Sequence, residues 1–353
     1  MGRRDPIERA NDERVDTQGV ATWEPRSIAD RLSVAVYRLL VGGSRWLLIG
    51  LAALILLVIV VSTGIWLVAA EPVVGVLVGL SAVPAFLLAA YLWRWEVTPN
   101  EPLTLLVATF VLAILFASFA AVLNPVGRAA VSFLLRPLGL VTPAVVLGLL
   151  VNTVVFFLIV GPIEEAVKLL AVRLWAYRDA RFDAVVDGAI YGAVAGLGFA
   201  TIENALFITQ PIGSAATTVD IIGESAPIAA TRSIVGPGHV IYSAIAGYYL
   251  GLAKFNPDHA GPLVVKGLGI AAILHAVYNT SVTAIPLGVD ALTPFSPTVA
   301  TLGFIVGYNL LIGYYLYRLL AGYRRAYRAT DAGQPDVDVP PEPTEFDPPS
   351  RAR

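Results

Sequence analysis

The chain has 353 residues, of which 57% are hydrophobic and only 14% are charged, a composition that predicts an integral membrane protein in a lipid bilayer. The formal net charge is -2 and the arginines are not gathered into a domain-sized basic face, which argues against nucleic acid as a partner. Because cysteine is absent, disulfides and thiolate chemistry are excluded, and a bound metal ion would need histidine and carboxylate ligands.

The first 45 residues contain two kinds of sequence. A polar arm with mixed charges extends to about residue 25, and in the segment 26–45 apolar residues such as Ile28 and Leu32 recur at helical spacing while arginines recur every seven residues. This pattern predicts an amphipathic helix on the membrane surface. A solvated helix beside the membrane explains the pattern equally well.

Eight apolar segments are long enough to cross a bilayer, which takes about 20 residues of helix. We therefore predict an all-α, polytopic bundle of about eight transmembrane helices. The predicted spans are 46–70, 72–93, 103–123, 137–163, 184–207, 233–253, 263–284 and 299–317. An outer loop is expected at 209–231. The Pro-rich and acidic segment 329–353 is expected to be a disordered cytoplasmic tail.

The distribution of lysines and arginines between the two sides of the membrane supports eight spans. With alternating sides, nearly all lysines and arginines fall on the side of the two termini, and only Arg128, Arg136 and Arg232 fall on the other. Positive residues favour the cytoplasmic side, so both termini are predicted to be cytoplasmic.

The predicted spans divide the chain into parts. The first three spans, within 46–135, have no ionisable residue and are predicted to be non-catalytic. The predicted catalytic core is 136–285, and 286–328 contains the last span.

The predicted fourth to seventh spans contain costly polar groups, since an ionisable residue at membrane depth costs about 2.5 to 3.5 kcal/mol on insertion scales. Several lie one helical turn from a second polar residue, which places each pair on one helix face. Carboxylates can activate water, and imidazoles can move protons, bind a metal or stabilise an oxyanion. The predicted catalytic residues are Glu164, Glu165, Glu203, His239 and His275, and the predicted supporting residues are Lys168, Asn204, Ser243 and Asn279.

These residues resemble four motifs of the PrsW family of intramembrane proteases, which is related to the CAAX prenyl proteases and bacteriocin-processing proteases. The motifs are Glu164-Glu165-x-x-Lys168, Phe199-x-x-x-Glu203-Asn204, His239-x-x-x-Ser243 and His275, within residues 150–280. The resemblance implies a polytopic peptidase that is either metal-dependent or a metal-independent glutamate protease. Glu203 stands where CAAX proteases have histidine, which argues against a prenylated substrate.

Glu164 can share a site with the other predicted catalytic residues only if it lies at a similar depth in the membrane. If its helix began at Pro137, Glu164 would lie about 40 Å from the outer face, beyond a hydrocarbon core about 30 Å thick. We therefore expect a break or displacement before Leu149, with the helix then continuing to about Tyr177.

The resulting hypothesis is a protease in which Glu164 or Glu165 activates water and Lys168 positions the other carboxylate, although Lys168 is equally well explained as a charge partner alone. Glu203, His239 and His275 would hold the water and the oxyanion, or bind one zinc ion. The expected partner is a membrane-protein or peptide substrate, and the oligomeric state is left open. Alternative functions are a proton-coupled transporter and a non-catalytic membrane protein.

Overall fold

The computed structural model describes residues 72–95, 101–135, 144–213, 217–256 and 260–329, together with isolated positions 28, 31 and 50. The chain divides into two compact units, Met1–Val58 and Ile59–Arg353, and the second contains all of the helices named below. The predicted amphipathic helix, the predicted first span and the predicted tail beyond residue 329 lie outside the described residues, apart from those isolated positions.

The described residues contain helices and turns but no β-strand, as an all-α membrane bundle requires. Each long helix matches one apolar segment of the sequence. The helices are α1 (Pro72–Arg94), α2 (Leu103–Leu135), α3 (Ala144–Val155), α4 (Gly161–Leu174), α5 (Val185–Ile208), α6 (Thr218–Phe255), α7 (Ala260–Leu292) and α8 (Pro297–Ala329).

Among the described residues, six helical stretches are long and apolar enough to cross a membrane: α1, α2, Ala144–Arg178, Val185–Ile212, α7 and Pro297–Arg325. The predicted sixth span lies within α6, which is not one of these six stretches. The structure is therefore that of a polytopic helical membrane protein. The sides on which the termini lie remain a prediction.

The predicted outer loop at 209–231 is wrong for most of its length. A short 3₁₀ helix covers Gln210–Gly213, and α6 begins at Thr218. The Thr217 hydroxyl accepts a hydrogen bond from the Asp220 backbone amide, and the Asp220 carboxylate accepts one from the Thr217 amide, which stabilises the helix start. Helix α6 then continues through two prolines, Pro227 and Pro237, which both lie inside the helix.

Helix α2 is longer than the predicted span 103–123, because it continues through Pro125 to Leu135. The extension brings Asn124 into contact with Glu164 and places the exposed Arg128 on the wall of the same cavity. The predicted domain boundary at residue 135 is not tested, but a helix from the predicted non-catalytic part supplies polar side chains to the same region as the motifs.

The helix that carries Glu164 is irregular immediately before that residue. A five-residue π-helix, Phe156–Val160, separates α3 from α4. Such segments often occur at functional sites. The irregularity lies after Leu149, later than the sequence predicts, and residues 136–143 lie outside the described part. The helix ends at Leu174, followed by a 3₁₀ turn at Ala176–Arg178, close to the predicted end near Tyr177.

Helix α5 is the central helix of the bundle. It is buried along most of its length, and it packs most extensively against α6. Gly188, Gly192 and Gly196 lie one turn apart on α5, and each meets a backbone carbonyl of α6. Small residues at this spacing allow two helix backbones to approach closely, which brings Glu203 and His239 into contact across the interface.

Candidate active site

Helix α4 supplies two carboxylates and an amine to the interior of the bundle. Glu164, Glu165 and Lys168 are all at least 96% buried, as their exposed fractions are 4%, 0% and 1%. Spacings of three and four residues place both glutamates near Lys168 on the helix surface. The two carboxylates nevertheless have different partners, and these differences define their chemistry.

Glu165 is the fully paired member of the two. Its Oε1 atom accepts a hydrogen bond from Lys168 Nζ at 2.7 Å and lies 2.9 Å from Nδ1 of His275, and its Oε2 accepts one from the Ser243 hydroxyl at 3.3 Å. Beside an ammonium group the carboxylate is an acceptor, so His275 donates its Nδ1–H. Glu165 thereby fixes the orientation and tautomer of His275.

His239 is held by the opposite arrangement of donors and acceptors. An ammonium group can only donate, so Lys168 Nζ, which lies 3.0 Å away, donates to Nδ1 of His239. The proton of the neutral imidazole is then on Nε2, which lies 2.9 Å from Oε2 of Glu203. Lys168 also lies 4.2 Å from the centre of the Phe199 ring, a favourable cation–π contact.

Glu164 is the carboxylate with an available oxygen. Its Oε1 accepts a hydrogen bond from the Asn124 amide at 3.0 Å, whereas its buried Oε2 accepts none from the described residues. That Oε2 lies 3.7 Å from Nε2 of His275, which carries no proton when the neutral ring donates from Nδ1 to Glu165. Two lone pairs therefore face each other, and a cation between them, or a water that donates to both from the cavity side, would relieve their repulsion.

Glu203 is held at the other end of the cluster by Arg232. The guanidinium group of Arg232 forms an ion pair with Glu203, donates from Nε to the Asn204 side-chain oxygen at 2.8 Å, and packs over Phe207. The Asn204 amide donates to the hydroxyl of Ser81 on α1 at 3.0 Å. Asn204 thus positions Glu203 through Arg232.

A cavity of about 770 Å³ opens onto this cluster. Helices α2, α4, α5, α6, α7 and α8 contribute to its wall. The polar and charged lining residues are Asn124, Arg128, Glu164, Glu203, Thr231, Arg232, His239, His275, Tyr278, Asn279, Thr283 and Thr301. A volume of this size accommodates several residues of an extended peptide.

The structure brings all five predicted catalytic residues into one connected cluster. Of the supporting residues, Lys168 and Ser243 contact Glu165 directly, Asn204 acts through Arg232, and Asn279 lines the cavity. Sequence reasoning missed Asn124, because it lies just past the predicted end of its span. It also assigned no site role to Arg232, although a single arginine beside a predicted outer loop was a usable signal.

Three side chains are arranged so that they could hold a metal ion. One ligand atom from each of Glu164, His239 and His275 lies within 4.8 Å of the others. The set predicted from the sequence contained Glu203 in place of Glu164. In the structure, Glu203 is paired with Arg232 and His239, whereas Glu164 has an available oxygen.

Comparison with known proteins shows that the region containing this cluster matches a protein family. A family model described as PrsW family intramembrane metalloprotease matches residues 101–313, more than half of the chain and all of the cluster. Protease PrsW of Bacillus subtilis (strain 168) is 32% identical over 143 residues, which cover 40% of this chain and 60% of that protein. Protease PrsW of Shouchella clausii is 30% identical over 123 residues, covering 35% and 52%.

A third relative, Protease PrsW of Clostridioides difficile, is 30% identical over 128 residues, covering 35% of this chain and 50% of that protein. The aligned part of the chain thus spans about half to three fifths of the length of these curated relatives. No solved structure matches the chain significantly. The family model covers the greater part of the sequence, and the chain therefore belongs to the PrsW family.

Proposed function

We propose that the protein is an intramembrane protease that hydrolyses a peptide bond in or next to the transmembrane segment of a membrane-protein substrate. The observation that carries this proposal is the buried Oε2 of Glu164, which has no hydrogen-bond donor among the described residues and lies at the wall of a peptide-sized cavity beside His275. A carboxylate held in this way by protein contacts is suited to take a proton from water.

In the proposed reaction, Glu164 is the general base and Glu165 is not. The water oxygen adds to the substrate carbonyl carbon while its proton moves to Oε2 of Glu164. Cleavage of the carbon–nitrogen bond follows, and the same proton passes from Glu164 to the leaving amine. Asn124 keeps Oε1 of Glu164 in place, and Nε2 of His275 accepts a hydrogen bond from the attacking water.

The remaining residues orient the reacting groups. Glu165 fixes His275, and Lys168 fixes both Glu165 and the tautomer of His239. The amide of Asn279 provides a donor for the developing oxyanion at the cavity wall, and the Nε2–H of His239 adds a second when it turns from Glu203 to the substrate. A helical substrate hides its carbonyls in its own hydrogen bonds, so the substrate must unwind before it reaches these groups.

The same residues fit a zinc ion. Glu164 and His275 offer atoms without a competing hydrogen bond. His239 would have to give up its contact with Glu203 and move its ring proton from Nε2 to Nδ1, with Lys168 then accepting as a neutral amine. The contact of His275 with Glu165 is the carboxylate–histidine pairing common beside protein-bound zinc. A bound zinc ion would act as a Lewis acid and lower the pKa of a coordinated water.

The proposal is tested by cleavage of a tagged single-span substrate in reconstituted vesicles. We expect Glu164→Gln, Glu165→Gln and His275→Ala to abolish cleavage, while Glu224→Gln, a change at an exposed position of α6, retains it. Undiminished cleavage by the first three variants would contradict the assignment of a protease active site to these residues. Chelator treatment, with zinc content measured by mass spectrometry in wild type and Glu164→Gln, determines whether metal is bound there.

A further inference from the structure

We infer that Arg128 forms a subsite for an acidic side chain of the substrate, close to the bond that is cleaved. This inference rests on the proposed function and names the substrate class for the same cavity. It concerns a cation that the proposed chemistry does not use, although it lines the same wall as Glu164.

The pairing of charges in the cavity singles out Arg128. Lys168 is paired with Glu165, and Arg232 is paired with Glu203. Arg128 has no carboxylate within ion-pair distance in the described part of the chain, and its one hydrogen bond there goes from NH1 to the neutral side-chain oxygen of Asn152 at 2.6 Å. A guanidinium group has five N–H donors, so most of them remain for a ligand.

Arg128 is also held in a defined position. Arg128 is exposed, and one hydrogen bond from NH1 to Asn152 on α3 anchors its guanidinium group, while Gly127 beside it packs closely against Ile159 of the π-helical segment. A planar guanidinium held along one edge can present its other donors to a carboxylate in a bidentate pair. The donors that remain on Arg128 therefore suit an oxyanion, and the oxyanion that a peptide substrate supplies is a carboxylate.

The distance from Arg128 to the reacting groups suits a neighbouring substrate residue. Arg128 lies one turn of α2, about 6 Å along the axis, from Asn124, whose amide contacts Glu164. The long arginine side chain extends this separation towards Asn152. An extended peptide advances about 3.3 Å per residue, so the acidic residue is expected about two to five residues from the cleaved bond.

The test uses single-span substrates in which each position within five residues of the cleaved bond is, in turn, Asp, Asn or Lys. For wild type in vesicles of zwitterionic lipid, we expect one position at which kcat/KM is about tenfold or more higher for Asp, as a charged hydrogen bond would give. Arg128→Gln should bring that ratio near one, and Arg128→Glu should favour Lys at that position. Arg173→Gln is the matched control, because Arg173 packs over Tyr177 and does not line the cavity.

The outcomes separate this inference from the proposed function. Cleavage of all substrates at equal rates by wild type would overturn the acidic subsite and leave the protease assignment intact. Absence of cleavage by wild type overturns both. If Arg128→Gln lowers cleavage equally for Asp and Asn substrates, and only in vesicles with anionic lipid, Arg128 binds lipid phosphate and the subsite is wrong.

Discussion

The ammonium group of Lys168 lies 3.0 Å from Nδ1 of His239, where helices α4 and α6 meet. Since the same group lies 2.7 Å from Glu165, one lysine fixes a carboxylate and an imidazole on different helices. Its removal would leave Glu165 buried without a cation, and His239 would be free to adopt either tautomer. Lys168 is thus a positioning residue that acts through its neighbours.

We predict that Lys168→Met lowers the free energy of unfolding by about 3 to 5 kcal/mol, the usual cost of removing one partner of a buried ion pair. Cleavage should also be lost. The double variant Lys168→Met/Glu165→Gln should regain part of the stability and none of the activity, because the uncompensated charge is gone but His275 remains misoriented. Thermal unfolding in detergent and vesicle cleavage assays measure the two effects.

Lys266→Met is the matched control for that experiment. Lys266 is exposed on α7 and contacts only the Tyr249 ring, at 5.2 Å, in the described structure. Its replacement should change the unfolding free energy by no more than about 0.5 kcal/mol. Equal effects of the two lysine substitutions would contradict a buried role for Lys168.

A second prediction concerns the close approach of α5 and α6. A Cβ atom added at Gly192 would overlap the carbonyl oxygen of Ser243. Gly192→Ala should therefore force the helices apart and destabilise the protein by about 1 to 3 kcal/mol. Gly269→Ala, at a position with nothing within 4 Å of the added carbon, should instead be neutral or stabilising by up to about 1 kcal/mol. Chemical denaturation of both variants distinguishes packing from helix propensity.

The sequence is informative about the motif residues because their spacing of three or four residues places polar groups on one helix face. This spacing predicted that Glu164, His239 and His275 would point inward, and these side chains converge in the structure. The all-α class likewise follows from apolar segments of sufficient length. These features depend on local periodicity, which can be recognised in a single sequence.

Other features depend on tertiary packing, which cannot be predicted from the periodicity of the sequence. In the sequence, Asn124 is only a polar residue before a proline. Its contact with Glu164, at 3.0 Å between the amide nitrogen and Oε1, is created by the packing of α2 against α4. The π-helical segment Phe156–Val160 is purely apolar, so its extra residue per turn leaves no pattern. The start of α6 was missed because the interval 209–231 between two apolar spans was predicted to be a loop. The Thr217 cap and the hydrogen bond from buried Ser225 to the Ile208 carbonyl stabilise a helix there.

A third prediction tests whether the contact between α4 and α7 sets catalytic geometry. A Cβ atom at Gly161 would lie 2.6 Å from the backbone oxygen of Ala272, one turn from His275. Gly161→Ala should displace Glu164 relative to His275, and a shift of about 1 Å can lower a reaction rate about a hundredfold. We expect kcat to fall by at least about tenfold, with a smaller change in KM.

Gly148→Ala serves as the control for that variant, since nothing lies within 4 Å of its added carbon. It should cleave substrate at the wild-type rate. If Gly161→Ala instead retains full kcat, the spacing of α4 and α7 does not limit the reaction, and the proposed contribution of His275 to water activation is weakened.

The fourth prediction concerns Glu101, which precedes α2 and lies outside the proposed active site. Burial raises the pKa of Glu101 from its ordinary value of 4.5 to about 8, although a hydrogen bond from the Tyr191 hydroxyl opposes the shift. Nearby Asp187 and Asp183 raise the pKa further by repulsion. The folded state therefore favours the protonated carboxyl group more strongly than the unfolded state does.

The sign of the pH dependence follows from that preference. The stabilising contribution of protonated Glu101 is complete below about pH 4.5 and is lost as the pH rises through about 8. Glu101→Gln, which resembles the protonated form, should flatten the fall in stability between these values and make the variant relatively more stable at pH 9. Unfolding curves measured in detergent from pH 5 to 9 provide the test. An unchanged slope in Glu101→Gln would show that another group is responsible.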